Sequence, residues 1–138
     1  MGRMSPEAVD DLLREPNVSI VATLRRDGTA HMTPVWHLVE DGRIILAVER
    51  RSVKAKNVAN DPRVTLCVAT CEKPQWWAQV SGKARLTADA VADVVRRMSV
   101  HYMGAIEGNP YADQVLRDPD FVLVEITPAA KMGFDLEE

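Results

Sequence analysis

Apolar residues along this chain come in short alternating runs, broken at Asp-Gly and at proline, with helical spacing in only a few places. Ser5-Pro6-Glu7 reads as a helix start: a capping hydroxyl, a proline where no N–H is needed, then an acid. Val9, Leu12 and Leu13 give that helix an apolar face, and Glu15-Pro16-Asn17 stops it. Residues 18–25, rich in Val, Ile and Thr, predict a strand, and Asp27-Gly28 a hairpin turn. Residues 29–39 predict the return strand with Pro34 inside it, which marks an edge, a bulge or the approach of a ligand. Asp41-Gly42 is a second hairpin signal before a third strand, 43–49.

A short helix opens at Ser52 and closes at Asp61-Pro62. Strands are expected over 63–70 and 76–86, with Gly82 as a bulge in the second. Thr87 is the expected cap of a helix over 88–103, whose face is Val91, Val94, Val95, Met98 and Tyr102. Residues 104–110 read as a loop and 111–117 as a short helix. Residues 121–127 read as a strong strand, and 131–136 as a weaker extended segment. About six strands with hairpin connections predict antiparallel pairing, and such a sheet removes its edges by closing into a barrel. The expected class is therefore mainly β, an antiparallel barrel with flanking helices, formed by a single domain over 1–138.

Composition adds limits. With 46% hydrophobic and 27% charged residues the chain is ordinary and globular. A net charge of −3 argues against nucleic acid or an anionic membrane as partner. No apolar run approaches the ~18–20 residues of a membrane span, and the N-terminus lacks a signal-peptide core, so a cytoplasmic location is expected. Cys67 and Cys71 lie about 13 Å apart along a strand, too far for a bridge, and are expected as buried thiols. His31 and His37, roughly 20 Å apart on an extended strand, do not suit one metal ion. No metal site is expected, and no nucleophile–base pair stands out. If the chain is an enzyme, a cofactor carries the chemistry.

The charge is unevenly placed. Residues 43–63 hold Arg43, Arg50, Arg51, Lys54, Lys56 and Arg63 against Glu49 and Asp61, a local +4 on an acidic chain. Ser52 caps the helix that carries Lys54 and Lys56 in its first turns. Helix starts expose unpaired N–H groups and the positive end of the dipole, so lysines there suit a phosphate. Lysines on a short surface helix are otherwise simply solvated. Trp76 and Trp77 are neighbours in a strand, one facing in and one out, the outer one suiting a surface or a subunit contact.

Ile20-Val-Ala-Thr-Leu-Arg-Arg-Asp-Gly-Thr-Ala, then Thr33-Pro-Val-Trp, then Ser52-Val-Lys-Ala-Lys-Asn-Val-Ala-Asn-Asp-Pro-Arg-Val resembles the flavin and deazaflavin oxidoreductases related to pyridoxamine 5′-phosphate oxidase. Within them it is most similar to the small reductases that use coenzyme F420. The resemblance implies a split β-barrel homodimer of the FMN-binding, Greek-key type, with two cofactor clefts along the subunit interface. The cofactor it implies is F420, with FMN as the alternative, and the reaction a hydride transfer to an unsaturated organic acceptor. A non-catalytic ligand-binding protein on the same barrel is the other reading. By resemblance, Ser52, Lys54, Lys56 and Asn57 hold the cofactor phosphate. Thr33, Pro34, Val35 and Trp36 run beside the ring, and Val48, Glu49 and Arg50 lie near the ring and its polyol chain. Trp77 and Gln79 come from the second subunit to cover the ring. Either Arg50 or Arg51 turns inward, and a proton comes from solvent or a side chain such as His37. The acceptor pocket is expected along the second strand and around 102–111.

Overall fold

A computed structural model describes residues 2–72 and 75–135. Its elements are β1 (Gly2–Arg3), α1 (Pro6–Arg14), β2 (Ser19–Leu24), β3 (Ala30–Val35), β4 (Leu38–Glu40) and β5 (Arg43–Glu49). These are followed by α2 (Val53–Asn60), β6 (Arg63–Ala69), β7 (Trp76–Thr87), α3 (Val91–Met103), α4 (Ala105–Val115) and β8 (Phe121–Asp135). All strand pairs are antiparallel, in the order β3-β2-β6-β7-β8-β5-β4, with β1 added to the end of β8. β3 and β4 are the two ends of that path, yet only Trp36 and His37 separate them in sequence. A link that short spans about 10 Å, so the sheet must curl until its ends nearly meet. The result is a barrel whose seam is Trp36-His37.

This accounts for the main departure from the expected strand over 29–39. Its first half pairs with β2 and its second half with β5, so one run of sequence becomes two strands. Pro34 lies opposite Ile20 on β3, at the end of the strand path, where a missing N–H breaks no further ladder.

Alternation decides what fills the barrel. Ile44, Leu46 and Val48 of β5 point inward with Val21, Leu66, Val68, Ala78, Val80, Val122, Val124 and Ile126, and Val9, Leu12 and Leu13 of α1 join this cluster. The opposite face of β5 and β8 carries Ile45 and Leu123, covered by Val94 and Met98 of α3. β5 is buried on both faces, which is why 44–48 is continuously apolar.

Other expectations shift. Both helix caps near the N-terminal half hold: Ser5 Oγ accepts from Ala8 N–H, and Ser52 Oγ from Ala55 N–H. Thr87 does not cap α3. It ends β7 opposite Leu123, its hydroxyl accepts from Asp89 N–H, and α3 begins at Val91 after Ala90 in the left-handed region. Gly104 is the only non-helical residue of the expected 104–110 loop; residues 105–110 are the first half of α4. Pro110 forfeits one helical bond, and tertiary contact with α3 outweighs that. Gly108 lies so close that an added Cβ would stand 2.6 Å from Ser99 O, and Arg96 reaches Asn109 Oδ1 and Asp113 Oδ1. The register shifts at Ser81/Gly82, but the extra residue, Ala129, lies in β8 rather than in β7; β8 runs on through it, so the two expected C-terminal segments form one 15-residue strand. Leu136 lies outside the described residues. Both cysteines are free, but only Cys67 is part-buried; Cys71, beyond the end of β6, is exposed. Among the described residues no helix is long and apolar enough to cross a membrane.

Candidate functional site

A cleft of about 390 Å³ opens where the seam, the end of β5 and the start of α2 meet. That volume is in the range of small-ligand pockets, roughly 300–1,000 Å³. Pro34, Val35 and Trp36 line one side, Ala47, Val48 and Glu49 the floor, and Ser52 and Lys54 one end. The far wall is Val95, Met98 and Ser99 of α3, Tyr111 and Val115 of α4, and Phe121.

Trp36 is held flat. Its ring stacks on Tyr102 at 4.6 Å and 7°, and Tyr111 stands tilted beside it at 5.8 Å. Tyr102 is itself fixed: its hydroxyl donates to Asn17 O at 2.8 Å and accepts from His37 N–H at 3.1 Å. Burial raises the Tyr102 phenol above its ordinary value, against a smaller opposite effect from its bond to the His37 backbone, so the hydroxyl keeps its proton. Behind it, His37 is sealed in. Its Nε2 meets Leu13 O at 2.7 Å, which can only accept, so Nε2 carries the proton and Nδ1 accepts from Ser19 Oγ–H. Both nitrogens are committed and the ring does not line the cleft. The expectation of His37 as proton donor is therefore corrected: it is a strut beneath the seam.

At the opposite end, Lys54 Nζ donates to Thr33 Oγ1 at 3.2 Å, tying α2 to β3. The side chain is half-buried, and among the described residues no carboxylate oxygen lies within 4.0 Å of it. Its neighbours in the basic stretch differ. Arg43 pairs with Glu125, Arg63 with Asp61, and Arg50 and Arg51 both with Asp120. Arg63 holds the Asp61 carboxyl down to about 2 through a side-chain hydrogen bond. Neither Arg50 nor Arg51 lines the cleft, because β8 lies beside β5 and brings Asp120 to them; Arg50 N–H also donates to Asp120 O at 2.8 Å. Of the expected +4 island, Lys54 and Lys56 alone lack an ion-pair partner among the described residues.

The structure thus gathers Pro34, Val35, Trp36, Val48, Glu49, Ser52 and Lys54 in one cleft, with Thr33 bonded to its lysine. Lys56 and Asn57 line a different groove behind α2, and the buried Asn57 amide donates to Thr23 Oγ1 at 3.1 Å, tying α2 to β2. Trp77 and Gln79 alternate with the inward Ala78 and Val80, so they face outward, Trp77 against Phe134 at 5.4 Å. The α3–α4 wall is the part that sequence reasoning missed, apart from Tyr111 within the expected 102–111 region. The available signal was Val95 and Ser99, four apart beside the Val91-Val94-Met98 stripe, which makes the apolar face wider than one sheet contact needs. Chemically, the cleft offers flat apolar walls and an uncompensated cation at one end, suited to a planar ligand with an anionic group.

The family model for pyridoxamine 5′-phosphate oxidase matches residues 5–131. The chain belongs to this family. Among solved structures, the oxidase-family chain is similar to a conserved hypothetical protein, Rv2991, from Mycobacterium tuberculosis, at 27% identity and a TM-score of 0.80, over 96% of this chain and 85% of that one. It is also similar to an F420 reductase (20% identity, TM-score 0.75, over 92% and 98%). A FAD-binding protein from Mesorhizobium loti has 15% identity and a TM-score of 0.72 over 99% and 98%. These likenesses show a shared fold. No curated protein matches the chain.

Proposed function

We propose that this family member is a reductase that binds reduced deazaflavin F420 in the Trp36–Lys54 cleft and serves an unsaturated organic acceptor. The observation that carries the reading is Lys54: half-buried, ordered by Thr33, and without a carboxylate partner among the described residues. A partly desolvated ammonium is costly without an anion, so a ligand phosphate is the natural complement. Ser52 Oγ accepts from Ala55 N–H and keeps its own proton to donate to such a phosphate. The first N–H groups of α2 face the same end, adding the positive helix terminus. Trp36, backed by Tyr102, gives a flat wall for a ring system, and the α3–α4 wall stands opposite it. These residues fit a phosphorylated tricyclic coenzyme, which supplies hydride chemistry when bound. That one fold neighbour is an F420 reductase favours the deazaflavin over FMN. His37 is sealed off and does not supply the proton that accompanies the hydride.

The cleft is open along one side, and the outer face of β3 leaves Met32 62% exposed. We take the active species to be a homodimer in which a second copy, through Trp77 and Gln79, closes each cleft.

The test is equilibrium binding of F420 and FMN to wild type and to Lys54→Ala. Losing one charge-assisted contact costs about 1.5–3 kcal/mol, or about 10- to 150-fold in affinity. F420 should bind the wild type, and the variant should be weaker by that range. Unchanged affinity removes Lys54 from the site, and wild type that takes up only FMN replaces F420 in this reading.

A further inference from the structure

The sheet face beneath α3 carries charge at two ends, and the ends differ. On β5 alternation gives this face Arg43, Ile45, Ala47 and Glu49; their neighbours on β8 are Glu125, Leu123 and Phe121. At the first end Glu125 accepts from both Arg43 and Arg85, so its charge is answered. Close by, Arg97 donates to Glu40 and Asp93. In the middle Ile45 and Leu123 lie buried with Val94 and Met98 of α3. At the second end Glu49 stands opposite Phe121 in the ladder, and both line the cleft. Among the described residues no lysine, arginine or histidine nitrogen lies within 4.0 Å of the Glu49 carboxylate. The adjacent Arg50 and Arg51 turn to Asp120 instead.

Among the residues lining the cleft, Glu49 is the only acid and Lys54 the only base. With Lys54 answered by the anionic group of a cofactor, Glu49 is left as the uncompensated charge beside the apolar wall of Val95, Met98, Val115 and Phe121. The polar groups on that wall are neutral, the Tyr111 phenol and the Ser99 hydroxyl, and Ser99 spends its proton on Val95 O at 2.7 Å. An acceptor carrying a carboxylate or a phosphate would meet like charge there and no counter-ion. A cation would answer Glu49 while its flat body rests on apolar side chains. We propose that Glu49 is a specificity-determining residue, and that the acceptor is a flat, apolar, unsaturated compound bearing an amidinium or ammonium group, which the Glu49 carboxylate receives. This rests on the reductase reading above and adds the class of acceptor to it.

Three α,β-unsaturated esters of one shape test this: methyl cinnamate with a para amidinium, with a para carboxylate, and with neither. Their dissociation constants are measured by equilibrium dialysis at low salt, on wild type saturated with oxidised F420 so that no turnover intervenes. Glu49 is exposed, so the amidinium ester should bind about five- to tenfold tighter than the neutral one. That lies between an exposed ion pair and a desolvated charge-assisted hydrogen bond. The carboxylate ester should bind more weakly than both. Added salt should compress the series, since the screening length falls to about 10 Å at 0.1 M. Glu49→Gln should bring the amidinium ester level with the neutral one, and Glu49→Lys should invert the order. A merely structural role for Glu49 would weaken all three esters together. Equal affinities on wild type, a preference that survives Glu49→Gln, or no binding of any ester overturns the proposal. The F420 titration used for loading is read separately. If F420 does not bind, the cofactor reading falls, and the amidinium-to-neutral ratio of wild type against Glu49→Gln, taken on the unloaded protein, still decides Glu49.

Discussion

His37 is 1% exposed and neutral, with both ring nitrogens spent on Leu13 and Ser19. Burial chiefly holds its pKa below the ordinary 6.5; the charge of His101 adds to this, and the bond to Leu13 opposes it. The folded value is depressed, so the linkage has one sign. Above pH 6.5 the ring is neutral folded or unfolded, and stability is undiminished. As pH falls below 6.5 the unfolded chain takes up a proton that the fold refuses, and stability drops until the folded pKa is passed. One proton gives at most about 1.4 kcal/mol per pH unit. Urea midpoints of wild type and His37→Asn between pH 7.5 and 5 check this: wild type should lose more. Parallel pH slopes for the two would remove His37 as the cause. At this scale the sequence was informative about Lys54, because cap, charge and spacing act within one helical turn. It was uninformative about Asn57 and His37, because their roles depend on Thr23, Ser19 and Leu13, which sequence distance hides.

At the scale of elements, α3 and α4 are the pair to perturb. The expected loop at 104–110 is helical from 105 onward because Gly108 permits a backbone contact with Ser99 that no other residue allows. An alanine there would drive its Cβ against main chain, which cannot give way as a side-chain tip can. Gly108→Ala should destabilise the protein by about 1–3 kcal/mol, the usual scale of overpacking. Thermal unfolding measures this. A rise in Tm, as expected from alanine's better helix propensity alone, would show that α4 stands off from α3. Propensity favoured the loop and tertiary packing won. The same competition moved the start of α3: the pairing of Thr87 with Leu123 holds it in β7, so the expected cap serves a turn instead. Where local signals agreed with packing, as at Ser5, Ser52 and Gly28, the elements lie where the pattern predicts.

For the whole molecule, barrel closure was legible as a class, since hairpins and short alternating runs leave few other solutions. Strand order was not, because β8 joining β5 and β7 is a pairing across some 80 and 40 residues that no local pattern encodes. The proposed homodimer belongs to this scale too. Exposed Met32 on the outer face of β3 and the half-exposed Trp77 on β7 are apolar surface that a second copy would cover. Sedimentation velocity at micromolar concentration should give twice the 15.3 kDa chain mass, and Met32→Glu should shift it towards one. A wild-type species at the single-chain mass would refute the dimer.

The two residues that carry the chain from one rim of the sheet to the other have a double duty. Trp36 lines the cleft while its neighbour His37 anchors the turn beneath, so the proposed recognition and the closure share a single dipeptide. Neither task can be tuned there alone. A substitution that relaxes the crossing will also loosen the grip on whatever rests against the indole, and a tighter grip will stiffen the crossing in return.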